Sequence, residues 1–437
     1  MRISVIGCGY LGAVHAASMA HLGHEVVGVD VEERKVEMLR DGKAPFYEPG
    51  LPELLTSTRE TGRLSFTTDI ADVAGARVHF VCVGTPQKRG ENAADLRYVD
   101  AAIEGLLPHL APGDLVVGKS TVPVGTAERI AERVAEVEPE ATVVWNPEFL
   151  REGFAVKDTL HPDRIVYGIQ EGEAGERAAG ILDEVYAAPL SEGTPQVITD
   201  FATAQLVKVA ANSFLATKIS FINAMAELCE ATGADVTKLA DAIGHDDRIG
   251  RRFLNAGLGF GGGCLPKDIR AFMARAGELG ADQALSFLRE VDAINMRRRV
   301  RMVDLAREVC EGSIVGRRIA VLGAAFKPDS DDVRDSPALS VAAQMRLQGA
   351  RVVVTDPQAV ANAEKAWPDL DFAATAEEAA AGADVVILAT EWAEYRELDP
   401  EAFGRLVGHR RIVDGRNVLD PAQWRAAGWV YRALGRP

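Results

Sequence analysis

The sequence predicts an α/β protein in which two doubly wound parallel-sheet domains are joined by a central all-helical domain with a long spine helix. Three observations carry that prediction. Arg2–Ile6 reads as a strand that runs into Gly7-Cys8-Gly9-Tyr10-Leu11-Gly12 and then into a helix. Arg318–Leu322 runs in the same way into Gly323-Ala324-Ala325-Phe326-Lys327-Pro328. Between them, residues Thr199 to Thr232 contain neither Gly nor Pro. As one continuous helix that stretch would be about 45–50 Å long, a rod suited to joining lobes or subunits.

Taken in order, His24 to Asp30 is the second strand of the first domain, and further strands are expected at Val78–Val83, Leu115–Gly118 and Thr142–Trp145. Helical stretches lie between them, the alternation that builds a parallel sheet covered on both faces. Asp200 is placed to cap the spine helix, and Asp282 to Cys310 reads as a second long helix. In the C-terminal part a helix starts near Ser336, and a strand Arg351–Thr355 ends at Asp356. There, Ala383-Asp384-Val385-Val386-Ile387-Leu388 echoes Ala76-Arg77-Val78-His79-Phe80-Val81. The domains are therefore expected at 1–197, 198–311 and 312–437, with linkers around Leu190–Pro195 and Glu311–Gly316.

Composition narrows the function. A chain of 437 residues with 47% hydrophobic and 26% charged residues is long enough for about three globular domains. Lys and Arg number 48 against 64 Asp and Glu, a net charge of −16. Such a chain repels phosphate backbones, so neither nucleic acid nor an anionic membrane is an expected partner. An anionic ligand would have to be met by locally placed cations and backbone N–H groups. The five cysteines form no CxxC pair, which points to a reducing compartment, and no run reaches the length of a membrane span. A cytoplasmic location is expected, and no metal.

The first glycine turn lies in the strand–turn–helix context that gives G-x-G-x-x-G its meaning: a Rossmann-like domain whose helix N-terminus receives a pyrophosphate. Asp30, at the end of the second strand, would accept hydrogen bonds from a ribose and repel a 2′-phosphate, which favours NAD over NADP. The second turn keeps only the first glycine, so its domain is expected to bind something other than a dinucleotide. Gly84-Thr85-Pro86 and Ser120-Thr121-Val122-Pro123 end predicted strands, where either a ligand edge or plain turn chemistry fits. Asn146-Pro147-Glu148-Phe149-Leu150-Arg151-Glu152-Gly153 sets two carboxylates four residues apart, suited to proton transfer or to a solvated helix start. On the spine helix, Gln205, Lys208, Asn212, Ser220, Asn223 and Glu227 make a narrow polar stripe. It reads as a lined site or as a polar seam between helices.

The sharpest feature is Asn255-Ala256-Gly257-Leu258-Gly259-Phe260-Gly261-Gly262-Gly263-Cys264-Leu265-Pro266-Lys267-Asp268. Its glycines let backbone wrap a ligand closely. With a helix starting near Pro266 and Lys267 alongside, the Cys264 thiol is expected to ionise readily. Asp268 is placed to move protons. Cys8, Cys82, Cys229 and Cys310 are expected to be inert buried residues.

From Arg2 to about Val418 this combination of motifs, in this order, resembles the UDP-glucose/GDP-mannose dehydrogenase family. Asp246-Asp247-Arg248-Ile249-Gly250 with Phe253-Leu254 most resembles its UDP-glucose-oxidising branch, although Gly263 and Leu265 depart from the residues that usually flank the cysteine there. The resemblance implies a two-step, four-electron oxidation of a sugar C6 alcohol with two NAD. In it Cys264 attacks the aldehyde to give a thiohemiacetal, which is oxidised to a thioester and hydrolysed. Lys208 and Asn212 would stabilise the C6 oxygen, Asp268 and Thr121 would assist proton transfer, and Glu148 would serve hydrolysis.

The resemblance further implies NAD contacts from Gly7, Gly9, Tyr10, Leu11, Gly12, Asp30, Lys35, Thr85, Thr121, Glu152, Lys267 and Arg334. Nucleotide-sugar contacts would come from Glu148, Phe149, Leu150, Arg151, Glu152, Lys208, Asn212, Arg248, Asn255, Leu258, Gly259, Phe260, Gly261, Phe326, Lys327 and Arg416. It also implies a homodimer through the central helices, with Arg248 reaching the neighbouring site. The alternatives are GDP-mannose or another UDP-hexose as substrate, and a single-step hydroxyacid dehydrogenase that uses only the Lys and Asn pair.

Overall fold

A computed structural model describes all residues from Met1 to Pro437. They form two compact units, Met1–Ala211 with Arg270–Gly280, and Asn212–Ile269 with Ala281–Pro437.

The first unit is built on an eight-stranded sheet. Its strands are β1 (Arg2–Ile6), β2 (Glu25–Val29), β3 (Leu64–Thr67), β4 (Val78–Val81), β5 (Leu115–Gly118), β6 (Thr142–Trp145), β7 (Ile165–Gly168) and β8 (Gln196–Thr199). They lie in the order β3-β2-β1-β4-β5-β6-β7-β8, so the strand order reverses direction beside β1. Alternation along the strands divides the core in two: Ile3, Val5, Val78 and Phe80 pack on one face, and Ile6, Val29, Val81 and Val116 on the other. Two features differ from the sequence reading. The β6–β7 pair is antiparallel, so the sheet is mixed. The boundary expected at residue 197 falls inside β8, which pairs with β7 through Thr199.

The second unit carries a six-stranded, all-parallel sheet of β9 (Arg318–Leu322), β10 (Arg351–Thr355), β11 (Asp371–Phe372), β12 (Val385–Leu388), β13 (Arg411–Asp414) and β14 (Val430–Ala433). Its order, β11-β10-β9-β12-β13-β14, reverses beside β9. The region between the sheets is helical, as expected. The spine helix spans Phe201–Thr232, and Asp200 caps it by accepting the Thr203 N–H at 2.7 Å. Two further helices, Leu265–Glu278 and Phe287–Val309, follow. No helix is long and apolar enough to cross a membrane.

Candidate active site

In the first unit the functional side chains gather where β1, β2, β4, β5 and β6 end, the edge at which open α/β sheets bind ligands. A Cβ on Gly12 would lie 1.8 Å from the Gly7 carbonyl oxygen, so only glycine lets the helix Tyr10–His21 start this close to the strand. Beside Gly9 there is open space, and that helix begins with no side-chain cap. Its first N–H groups are thus available to an anion. Asp30 is buried and accepts from the N–H groups of Cys8 at 2.8 Å and Glu32 at 3.0 Å, with Lys35 Nζ 3.3 Å from both oxygens. Thr85 Oγ1 donates to the Thr121 carbonyl at 2.7 Å, which joins the ends of β4 and β5. An uncapped helix start, room beside the second glycine and a carboxylate at the strand end fit a dinucleotide.

Glu148 follows β6, and its Oε1 accepts the N–H groups of Phe149 and Leu150 at 2.8 and 3.0 Å. Its Oε2 lies 2.9 Å from Lys119 Nζ. Burial pushes this carboxyl's pKa up. Lys119, the Phe149 N–H and Lys208 more than offset that, and the net shift is downward. Lys208, on the spine helix, stands over the Phe149 ring at 5.4 Å. Further along the loop, Arg151 is held outward in a bidentate pair with Asp158, and Glu152 is buried. Glu48 holds the loop's far end by accepting from Gly153 and Ala155 N–H at 2.7 Å each and from the Tyr10 hydroxyl.

In the second unit Cys264 immediately precedes the helix Leu265–Glu278 and is exposed, whereas Cys8, Cys82, Cys229 and Cys310 are buried, and none of the five is in a disulfide. One turn on, Asp268 is buried. Its Oδ2 accepts from Asn212 Nδ2 at 2.6 Å, and its Oδ1 pairs with Lys267 Nζ at 2.7 Å. Asn212, Lys267 and Asp268 therefore form one cluster beside the cysteine in the chain. The glycine loop before it is shaped by the protein's own groups. Leu258 is buried and donates to the Gly415 carbonyl at 2.9 Å, and the Asn295 amide grips both the N–H and the C=O of Phe260. A Cβ on Gly261 would strike the Asp335 carbonyl at 2.4 Å, and one on Gly263 would fall among the guanidinium atoms of Arg334.

Arg416 gathers this end of the second sheet, donating to the carbonyls of Ala389 at 2.7 Å and Gly259 at 3.0 Å, with Phe326 O at 3.4 Å. Lys327 Nζ lies 5.5 Å from the Phe326 ring centre. Gly259, Phe326 and Arg416 are thus joined, with Lys327 beside Phe326, and Arg416 Nε also pairs with Glu391 Oε2 at 3.3 Å. Arg248 and Asn255 are not among them. Arg248 is 88% exposed and paired with Asp246 at 2.6 Å, and Asn255 accepts from Arg251.

The polar stripe on the spine helix resolves mostly into a seam. Gln205 caps the helix Thr126–Val137, accepting Thr126 and Ala127 N–H at 3.1 Å. Ser220 donates to Val291 O, Asn223 accepts Gly257 N–H, and Glu227 faces Arg297 and Arg298. Sequence reasoning missed Lys119, Glu48 and Asn295. The signal for Lys119 was present, because a lysine directly follows the wholly apolar strand Leu115–Gly118. Nothing local marked the other two.

Comparison with known proteins gives three matches along the chain, all to parts of the UDP-glucose/GDP-mannose dehydrogenase family: its NAD binding domain over residues 1–188, its central domain over 202–297 and its UDP binding domain over 320–421. A UDP-glucose 6-dehydrogenase of Rhizobium meliloti is 43% identical over 440 residues, covering 100% of both chains. A UDP-glucose dehydrogenase from Pyrobaculum islandicum superposes with a TM-score of 0.90 at 40% identity, covering 100% of this chain and 98% of that one. A UDP-D-ManNAc dehydrogenase from Pyrococcus horikoshii gives 0.87 at 28% identity, covering 100% and 99%. The chain belongs to the UDP-glucose/GDP-mannose dehydrogenase family and is an NAD-dependent oxidoreductase.

Proposed function

We propose that the protein oxidises the C6 alcohol of UDP-glucose to the carboxylate of UDP-glucuronate through a covalent intermediate on Cys264. The observation that carries this reading is the contrast among the cysteines. Cys264 is exposed at a helix start, one turn before the Asn212–Asp268–Lys267 cluster, while the other four are buried. Greater identity to UDP-glucose enzymes than to the ManNAc enzyme supports the substrate.

When bound, NAD accepts the hydride that leaves C6 in each of the two oxidations. Gly7, Gly9, Tyr10, Leu11, Gly12, Asp30, Lys35, Thr85 and Thr121 would hold it, with Glu152, Lys267 and Arg334 completing its contacts. Lys208 and Asn212 stabilise the oxygen at C6, because an ammonium and an amide one turn apart are donors matched to an oxyanion. The Cys264 sulfur bonds to the aldehyde carbon and keeps the half-oxidised sugar from leaving. In the last step water adds to the thioester carbon, the C–S bond breaks and the thiol is regenerated. Glu148 takes the water's proton, and Asp268 and Thr121 serve the other proton transfers. Phe326, Lys327 and Arg416 would receive the nucleotide diphosphate.

The same reading includes a three-part division, with the first boundary after β8 and the second at about residue 311, a reducing cytoplasmic setting and a homodimer through the central helices. Phe214, Phe221 and Leu228 support the dimer. They are exposed on the spine helix at seven-residue spacing, which keeps them on one face for a second copy to cover. Arg248, held out from its own chain, would reach the second copy's site.

The test incubates purified protein with NAD and a panel of UDP- and GDP-sugars, counting NADH per acid formed. Two NADH per UDP-glucuronate are expected, with Cys264→Ser losing at least about a thousandfold in kcat. One NADH per substrate, or indifference to Cys264→Ser, would leave a single-step hydroxyacid dehydrogenase. Turnover of GDP-mannose or another UDP-hexose in preference would reassign the substrate.

A further inference from the structure

We propose that Lys119 is a positioning residue for Glu148, fixing the orientation of that carboxylate and keeping it ionised for hydrolysis of the covalent intermediate. The proposal rests on the role given to Glu148 above and adds the group that makes that role possible.

Lys119 directly follows β5, and its side chain is only 4% exposed. Its ammonium lies 2.9 Å from Glu148 Oε2, 3.0 Å from Asn146 Oδ1 and 3.3 Å from the Tyr186 hydroxyl. Three acceptors use its three protons, so it has none to offer a substrate and acts through its neighbours. The acceptors are themselves fixed. Tyr186 donates to Asn146 Oδ1 at 2.7 Å, and Asn146 Nδ2 donates to the Val166 carbonyl at 2.9 Å. Backbone N–H groups hold Glu148 Oε1 while Lys119 holds Oε2, so both oxygens are oriented. A buried ammonium is costly unless paired, and here the pair is the carboxylate that hydrolysis needs.

A cavity of about 40 Å³ adjoins the pair, with His15, Lys119, Asn146, Glu148 and Tyr186 in its wall. That is room for more than one water. The ring nitrogens of His15 have no protein partner, and burial holds its pKa well below the ordinary value. The other titratable groups facing Glu148 are Lys208 from the spine helix, Tyr186, and Cys82 at the end of β4. Burial pushes the last two up to about 12, so they stay neutral. Asp158, Asp163 and Arg164 also line the cavity. The cations acting on Glu148 are therefore Lys119, in contact, and Lys208.

The experiment measures kcat and KM for UDP-glucose and NAD from about pH 6 to about pH 9.5, and the sugar adduct on Cys264 by mass spectrometry after acid quench. Removing the cation leaves the burial, so the Lys119→Met profile should show an acid limb inside the measured range, where Glu148 gives none in the wild type. Near neutrality kcat should fall about tenfold with adduct accumulating, KM should fall with it so that kcat/KM stays within about twofold, and both should recover at high pH. Lys119→Gln keeps polar donors without the charge and should give the same limb. In a Glu148→Gln background Lys119→Met should cost nothing more, and the double variant loses both buried charges and so should fold at least as well as Lys119→Met.

No acid limb inside that range, or a double variant slower than Glu148→Gln, would overturn the proposal. Adduct hydrolysis at the wild-type rate in Glu148→Gln would instead overturn the role of Glu148 itself.

Discussion

In the first sheet Gly7 takes a φ of 89° and donates 2.8 Å to the Val29 carbonyl; in the second, Gly323 takes 114° and donates 2.8 Å to that of Thr355. An aspartate follows the neighbouring strand in each, Asp30 and Asp356, and accepts from the N–H just beyond the glycine. The two turns then diverge. Asp30 completes its bonding with the side chain of Lys35, a flexible cation that can move aside. Asp356 is closed off by the N–H groups of Gln358 and Ala359 and the indole of Trp392 at 3.1 Å. Where Gly9 faces open space, the matching Ala325 is fully buried. The first glycine and the aspartate are therefore what this strand–turn–strand corner needs to fold. The later glycines, and an Asp30 whose last partner is a side chain instead of a closed set of N–H groups, fit a dinucleotide. The second domain keeps the former and lacks the latter.

The strongest way to break this comparison is Gly12→Ala. Its methyl would collide with the backbone oxygen of Gly7, an atom that cannot step aside as a flexible side chain could. The NAD KM is expected to rise at least about a hundredfold, equivalent to ~3 kcal/mol. Ala325→Gly, in the second turn, should leave it within about twofold. NADH fluorescence titration reads both, and equal responses would mean that the two turns are not specialised.

A smaller effect separates the aspartates. Asp356→Asn leaves one acceptor oxygen for donors that came from Ala324, Ala325, Gln358, Ala359 and Trp392, and should cost ~2–3 kcal/mol of stability in urea unfolding. Asp30→Asn should cost less stability, about 1 kcal/mol, and raise the NAD KM about tenfold. A stability loss at Asp30 as large as that at Asp356 would show that both carboxylates are structural.

What could be read from the sequence followed from local signals. The glycine turn, the Asp200 cap, the helix start at Ser336 and the isolation of Cys264 all lie within a few residues of the features they control. Six strands escaped notice, β3, β7, β8, β11, β13 and β14; of these β8 has a mostly exposed pattern, β11 is two residues long, and β7 runs against its neighbour β6. Lys119 binds partners 27 and 67 residues away, and Asn295 grips a loop 35 residues upstream. Spacing along the spine helix could show that its polar residues share a stripe. It could not show that Gln205 caps another helix while Asn212 holds Asp268.

The last contrast is in acid sensitivity. His15 is fully buried in the first unit, packed edge-on against Phe80 with centroids 4.3 Å apart, and the buried polar residues of the second unit include no histidine. Burial holds the His15 pKa well below its ordinary value, with Lys119 and His24 adding to the shift, so the folded protein keeps the ring neutral. The unfolded chain takes up a proton as pH falls through about 6.5, where a free histidine titrates, and binds more protons than the folded chain below that point. Stability is therefore flat above that pH and falls below it, by up to ~1.4 kcal/mol per pH unit for one such site. His15→Met, which replaces the ring with an apolar side chain of similar reach, should flatten the dependence while changing stability near pH 8 by ~1 kcal/mol or less. His24, whose pKa burial also lowers, supplies a residual slope. Urea unfolding of both proteins at about pH 5.5 and about pH 8 measures the difference, since both values bracket the histidine titration. An unchanged slope would mean that the folded state protonates His15, and its place as a neutral group in the wall of the cavity beside Lys119 and Glu148 would have to be withdrawn.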